Sequence, residues 1–248
     1  MDTLPTTGGA NATLNRALAW LDSRHGAAAA SAMDKMLYGG FGAAERRALE
    51  DLPAATVQRI RANTGEWLLA EGRIVVDDAE VTAAACVLGA AGLALEPAER
   101  TWIEQLAQQP LRLFELVGRR EDGRVSLRDA LDDTAAPLAV DTAAMGEMPE
   151  LGSRVGVRIM KVDGCCELSG ALYDFPPLAG RGIVAQLREA IAAFGADSVQ
   201  LQGVLIRHLW LTRHYASVQK ATTAAPVAAA TWPLRACACG SRRKAADQ

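Results

Sequence analysis

The sequence contains few aromatic residues and few histidines, and these absences limit the chemistry it can perform. Phe, Trp and Tyr make up 5% of the 248 residues, and the chain has only three histidines. Histidine is the commonest general base near neutral pH, so the usual centre for acid–base catalysis is missing. We therefore expect a binding protein rather than an enzyme, with one thiol-based alternative given below.

The sequence also lacks a long apolar run and a secretory leader. Its longest apolar stretch, Val81 to Leu95, is too short and too rich in Ala and Gly to span a bilayer of ~30 Å. The first fifteen residues contain no basic region followed by an apolar run, as a secretory signal would. Five cysteines, an odd number, then argue for reduced thiols. We expect a cytoplasmic protein with no membrane partner, and the sequence leaves its oligomeric state open.

Charge is distributed unevenly along the chain, although the net charge is only −3. Residues 1–177 carry 17 basic and 26 acidic side chains, whereas residues 201–248 carry seven basic side chains and one acidic side chain. An acidic body with a basic end indicates that the C-terminal end is the part suited to an anionic partner. The alternative is a solvated tail that balances the charge of its own body.

Apolar spacing in residues 13–110 predicts a helical domain that follows a disordered leader at residues 1–12. Leu14, Ala17, Leu18 and Leu21 recur on one helical face, and Gly26 is expected to end this first helix. Residues 73–78 fit a short strand or an extended connector. Further helices are predicted over Ala28–Leu37, Ala43–Leu52, Pro53–Ala70, residues 80–92 and Pro97–Gln108.

The apolar spacing changes from about 3.6 to 2 in residues 111–177, which predicts short strands. The clearest alternation turns Val155, Val157 and Ile159 inward and Arg154 and Arg158 outward. Antiparallel strands in so short a segment favour a small five-stranded OB- or SH3-like barrel, because closure removes exposed edges. The strands are predicted over Phe114–Val117, Arg124–Leu131, Pro137–Thr142, Arg154–Val162 and Cys165–Leu172.

Helical spacing returns after the barrel, in residues 178–220. Helices are predicted over Gly182–Phe194 and Ser198–Lys220, and residues 221–248 are expected to form a flexible basic tail. The predicted fold class is therefore α+β. A helical N-terminal region is followed by the small antiparallel barrel, and the C-terminal helices pack on both.

Two stretches of the chain resemble a known family of bacterial proteins. The segment Cys237-Ala-Cys239-Gly-Ser-Arg-Arg-Lys244 resembles the first half of the SEC-C zinc motif. Short blocks within residues 60–215, such as Leu168-Ser-Gly-Ala-Leu-Tyr-Asp-Phe-Pro-Pro177, look like the helical-plus-barrel region of bacterial proteins that carry SEC-C motifs. The activity of those proteins is unassigned. At the end of the SecA translocase, SEC-C motifs bind zinc and dock protein partners, so the resemblance implies protein binding.

The C-terminal motif is incomplete as a zinc site. Structural zinc takes four nitrogen or sulfur ligands, and Cys237 and Cys239 supply two of them. The third ligand of the SEC-C pattern would fall at Gln248, which is a poor zinc ligand. Cys165 and Cys166 are adjacent on a predicted strand and so point to opposite faces. We expect no cofactor and well under one zinc per monomer, unless a second chain completes the site.

Three function hypotheses follow from these patterns. The first is a non-catalytic adaptor that acts through contacts with another protein. The second is weak nucleic-acid binding by the basic end and the polar face of the barrel. The residues of this second hypothesis are Arg154, Arg158, Lys161, Arg242, Arg243 and Lys244. The third is a thiol-dependent enzyme that uses Cys165 or Cys166, which requires a nearby group that lowers the thiol pKa.

Overall fold

A computed structural model describes residues 9–39, 41–142, 148–194 and 198–224 of the chain. The partial zinc motif and the basic cluster from Arg242 to Lys244 lie outside these residues. The leader predicted at residues 1–12 is too long, because the first helix already begins at Gly9. The predicted tail likewise begins too early, because residues 221–224 belong to the last helix.

Helices and a β-hairpin form the N-terminal part of the protein. The helices are α1 (Gly9–Tyr38), α2 (Ala43–Glu50), α3 (Ala54–Glu71), α4 (Ala83–Leu88) and α5 (Pro97–Gln108). The hairpin consists of β1 (Arg73–Val76) and β2 (Ala79–Thr82), which pair antiparallel. This part confirms the predicted helical region, with two local differences.

The first difference concerns the predicted break at Gly26: the two predicted helices are present, but they join directly at a kink with no loop between them, so α1 spans both. The chain continues through Gly26, and the kink lies at His25, whose φ of −136° and ψ of 27° are not helical. The second difference is β2, which occupies the start of a predicted Ala-rich helix. Asp77 and Asp78 both adopt positive φ and form the hairpin turn, and the Thr82 side chain then caps α4 by accepting a hydrogen bond from the Ala85 amide.

A curled seven-stranded sheet follows, counted over the described residues. Its strands are β3 (Arg112–Arg119), β4 (Val125–Asp129), β5 (Leu138–Asp141), β6 (Arg154–Val157), β7 (Ile159–Val162), β8 (Cys165–Leu168) and β9 (Tyr173–Phe175). Their order is β7-β8-β5-β4-β3-β6-β9, and β5 and β8 pair in parallel. The structure therefore differs from the predicted five antiparallel strands in the number of strands and in this one parallel pair.

The sheet curls because two consecutive strands, β6 and β7, lie near its opposite ends. Only Arg158 separates β6 from β7, yet β6 pairs with β3 and β9, whereas β7 pairs with β8. Such a short connection requires the two ends of the sheet to approach each other at Arg158. The predicted continuous strand from Arg154 to Val162 is thus two strands that meet at a bend.

The bend at Arg158 changes which side chains face inward. Val155 and Val157 are buried as predicted, but the prediction that Arg158 is exposed was wrong, because this residue is also buried. Beyond the bend Met160 is buried, whereas Ile159 is only half-buried. Arg158 lies outside both strands, so the alternation of inward-facing and outward-facing side chains shifts by one residue at this position. The inward-facing side chains therefore do not follow one period of two through the whole segment.

Two helices complete the fold and pack against the sheet. They are α6 (Pro177–Phe194) and α7 (Ser198–Ala224), which confirm the predicted C-terminal helices. α7 approaches β6 so closely that a Cβ on Gly156 would lie 2.5 Å from the Ile206 side chain. An apolar cluster joins the helical part, the sheet and the last two helices. It includes Leu52, Ile60, Phe175, Leu187, Ile206 and Trp210. Within the described residues, no helix has both the length and the apolar character that a membrane crossing needs.

Candidate functional site

A buried ion-pair network connects the helical part to the sheet and to α7. Arg158, at the bend of the sheet, donates to Glu66 of α3 over 3.4 Å and also pairs with Glu71 at the end of the same helix. Arg207 of α7 donates to the other oxygen of Glu71 over 2.9 Å. Two guanidinium groups therefore face two carboxylates, and the network is balanced in charge.

Glu66 is the most deeply buried member of this network. Its second carboxylate oxygen accepts hydrogen bonds from the Ser169 hydroxyl at 2.7 Å and from the Ala171 amide. Burial raises the pKa of Glu66 above its usual range, and Arg158 opposes part of that shift. Since both oxygens are occupied, we interpret the network as a structural link rather than as a catalytic centre.

The three sheet cations predicted as a binding cluster do not form one surface. Arg158 is buried in the ion-pair network. Arg154 is half-buried and donates to the Gly152 carbonyl at 2.7 Å, with Glu115 at 3.1 Å. Lys161 is exposed on β7, where its backbone pairs with the Gln105 side chain. The expected exposure of Arg154 was therefore also wrong, because Glu115 and Gly152 hold its guanidinium close to the sheet.

The cysteines within the described residues form no disulfide. Cys165 is exposed, while Cys86 and Cys166 are half-buried. No group of three or more metal-ligating side chains occurs in the part of the chain that the structure covers. Cys166 and Lys161 line the same 420 Å³ groove on the sheet, and the thiol-enzyme hypothesis stays a prediction. Cys237 and Cys239 lie outside the described residues.

A 550 Å³ groove with a mostly apolar lining lies between α1, α2 and α3. Along α1 it extends from Ala30 to Tyr38, about 12 Å or a little more than two helical turns. We call it the α1–α3 groove. Its lining residues are Ala30, Met33, Asp34, Leu37, Tyr38, Leu49, Val57, Ile60, Arg61 and Thr64.

The α1–α3 groove has an apolar floor and two charged residues at its rim. Leu49 and Ile60 are buried at its base, and Val57 is half-buried in its wall. Asp34 and Arg61 are exposed and carry opposite charges. Because its floor is apolar and its lining contains no histidine or cysteine, the groove is suited to bind an apolar side chain.

The α1–α3 groove is not predicted by the helical periodicity of the sequence, which instead indicates that its apolar residues belong to the core. Met33, Leu37, Val57 and Ile60 follow the helical period and therefore belong to apolar helix faces. Periodicity shows which face of a helix is apolar, but it does not show whether another element covers that face. The ion-pair partners Glu66, Glu71 and Arg207 were missed for a different reason, because the residues that pair lie far apart in sequence.

Comparison with known proteins identified no relative of this chain. No family model, no curated protein and no solved structure matches it. Membership of the SEC-C family therefore stays a prediction. Function is inferred below from the geometry of the chain itself.

Proposed function

We propose that this chain is a non-catalytic binding protein that docks a short apolar helix of a partner protein in the α1–α3 groove. The observation that carries the proposal is the 550 Å³ groove with an apolar floor, which the residues described by the structure leave open. Its length along α1 matches two turns of a bound helix, whose anchor side chains recur at positions i, i+3 or i+4, and i+7.

The lining of the groove indicates what the partner helix looks like. Met33 is flexible and adapts to differently shaped apolar side chains, so Leu, Ile, Met or Phe fit as anchors. Asp34 and Arg61 at the rim favour a partner with a basic residue beside the first and an acidic residue beside the second. The groove therefore selects an amphipathic helix that carries both signs of charge.

We also propose that the protein is cytoplasmic. For the curled sheet, we propose an OB-like barrel. If β6 and β7 are counted as one bent strand, the ring β3-β4-β5-β8-β7/β6 contains five strands and returns to β3, which supports such a barrel. A helical region followed by a strand-rich region over residues 60–215 supports membership of the bacterial SEC-C family.

Photo-crosslinking tests the proposed docking. A photoreactive amino acid at Val57, inside the α1–α3 groove, should crosslink one cellular protein when the full chain is incubated with nuclease-treated lysate. The matched control carries the same group at Val75, which is 60% exposed on β1 and outside the groove. Mass spectrometry of the crosslinked peptide should identify a segment with apolar residues at helical spacing.

Other crosslinking results would contradict this proposal. Equal capture at Val57 and Val75 would show non-specific contact. A crosslink to the chain's own C-terminal residues would show that the groove is filled internally. Capture in untreated lysate that is lost in nuclease-treated lysate would instead support the hypothesis of nucleic-acid binding.

A further inference from the structure

An arginine-rich cleft of 270 Å³ lies between strands β3, β4 and β6 and helix α6. It shares no lining residue with the α1–α3 groove, so the two sites are independent. Guanidinium groups enter it from β4, from β6 and from α6. The lining residues are Glu115, Arg128, Asp129, Ala130, Asp133, Arg154, Arg181, Val184, Ala185 and Arg188.

Each carboxylate in the cleft is already held by an arginine. Glu115 accepts from Arg128 at 2.7 Å and pairs with Arg154 at 3.1 Å, so two guanidiniums share one carboxylate. The sharing leaves this part of the cleft with an excess of positive charge. The remaining pairs are Asp129 with Arg112, just outside the lining, and Asp133 with Arg188 at 2.9 Å.

The cleft also contains arginine donors without acceptors. Arg181 has no carboxylate partner in the described part of the chain. The Nε of Arg154 is buried and has no hydrogen-bond partner. The lining as a whole contains four arginines and three carboxylates, an excess of one positive charge. An anionic ligand in the cleft would be attracted by this excess of positive charge.

We propose that the cleft binds a small molecule that bears a phosphate group. The excess of positive charge favours an anion, and the oxygens of a phosphate group can accept from guanidiniums on three different elements at once. A carboxylate ligand offers one charge and is satisfied by a single arginine fork. The 270 Å³ volume accommodates one phosphate and a few further heavy atoms, which favours a small molecule over a polymer.

Calorimetric titration of the full chain with inorganic pyrophosphate tests this site. Arg181 and Arg188 lie on α6, and their side chains are not part of the fold's buried core. The Arg181→Gln/Arg188→Gln variant should therefore fold normally and bind pyrophosphate about tenfold or more weakly. The matched control is Arg24→Gln/Arg47→Gln, which removes two exposed arginines of α1 and α2 and should change the affinity by less than about twofold.

Three results would overturn the proposal. The first is the absence of binding with pyrophosphate in the millimolar range. The second is an equal loss of affinity in both double variants, which would show a general effect of net charge. The third is tighter binding of a single-stranded oligonucleotide than of pyrophosphate, abolished by Arg181→Gln/Arg188→Gln, which would assign the cleft to a nucleic acid. None of these results depends on the α1–α3 groove.

Discussion

Replacing Arg158 with methionine should lower the free energy of unfolding by about 3–5 kcal/mol near neutral pH. Arg158 is fully buried and is the cation that faces Glu66, which is itself buried. The methionine side chain occupies part of the space of the arginine side chain, but it leaves the Glu66 carboxylate without a counter-charge in a site closed to water. Removal of one partner from a buried ion pair is costly for this reason, even where the intact pair contributes little net stability.

The loss caused by Arg158→Met should depend on pH in a defined direction. Burial already raises the pKa of Glu66, and removal of Arg158 should raise it further. A carboxyl group whose pKa is higher in the folded state than in the unfolded state favours folding when it is protonated. Its contribution is lost as the pH rises through the folded-state pKa. The variant should therefore be least stable in alkaline solution and should partly recover in acid.

Urea unfolding of the full chain at about pH 5 and about pH 8 measures this effect. The control is Arg24→Met, which removes an exposed arginine of α1 and should change stability by less than about 0.5 kcal/mol. Adding Glu66→Gln to Arg158→Met should restore part of the loss near pH 8, because no charge then remains to be buried. A loss equal to that of the control, or one that increases in acid, would contradict this account of the network.

Replacing Val157 with aspartate should cost about 4 kcal/mol or more, enough to unfold many domains. Val157 lies at the end of β6 and is fully buried in the apolar cluster of the sheet with Phe114, Leu116 and Leu168. Arg112, the cross-strand partner of Val157, is already paired with Asp129, and the cluster itself contains no cation for an aspartate. It must therefore be buried as an unpaired charge or become protonated, and both outcomes destabilise the fold.

Thermal unfolding followed by circular dichroism compares this variant with a matched control. Val75→Asp makes the same substitution on β1, at a side chain that is 60% exposed, and should alter stability by less than about 1 kcal/mol. Val157→Thr replaces one methyl group with a hydroxyl of similar size and should cost about 1–3 kcal/mol, which keeps the test informative if the aspartate variant does not fold. Similar melting temperatures for Val157→Asp and Val75→Asp would show that β6 does not face a core.

The sequence predicted the local structure of this protein better than its long-range contacts. The buried Val155 and Val157 and the helix from Pro97 to Gln108 follow from apolar spacing and from capping. The break at Arg158 does not, because its partners Glu66 and Glu71 are 92 and 87 residues away in the chain. Alternation places an arginine in solvent unless a buried carboxylate is known to face it.

Other differences arise where two extended segments meet. The predicted strand Cys165–Leu172 ends at Leu168. Gly170 adopts a φ of 126°, and the chain bends there before it continues as β9. The parallel pairing of β5 with β8 depends on the curl of the whole sheet and has no local pattern. The α1–α3 groove depends on where α2 leaves the faces of α1 and α3 uncovered, which no single-helix pattern contains.

Binding of a partner helix in the α1–α3 groove is measured by titration of the full chain with the segment crosslinked at Val57. That segment, made as a fluorescent peptide, should bind the full chain at one site. Met33→Glu places a charge on the apolar wall of the groove and should weaken binding by about tenfold or more. The control Ser31→Glu adds the same charge on an exposed position of α1 and should leave the affinity unchanged. Equal affinity for both variants would contradict binding in this groove.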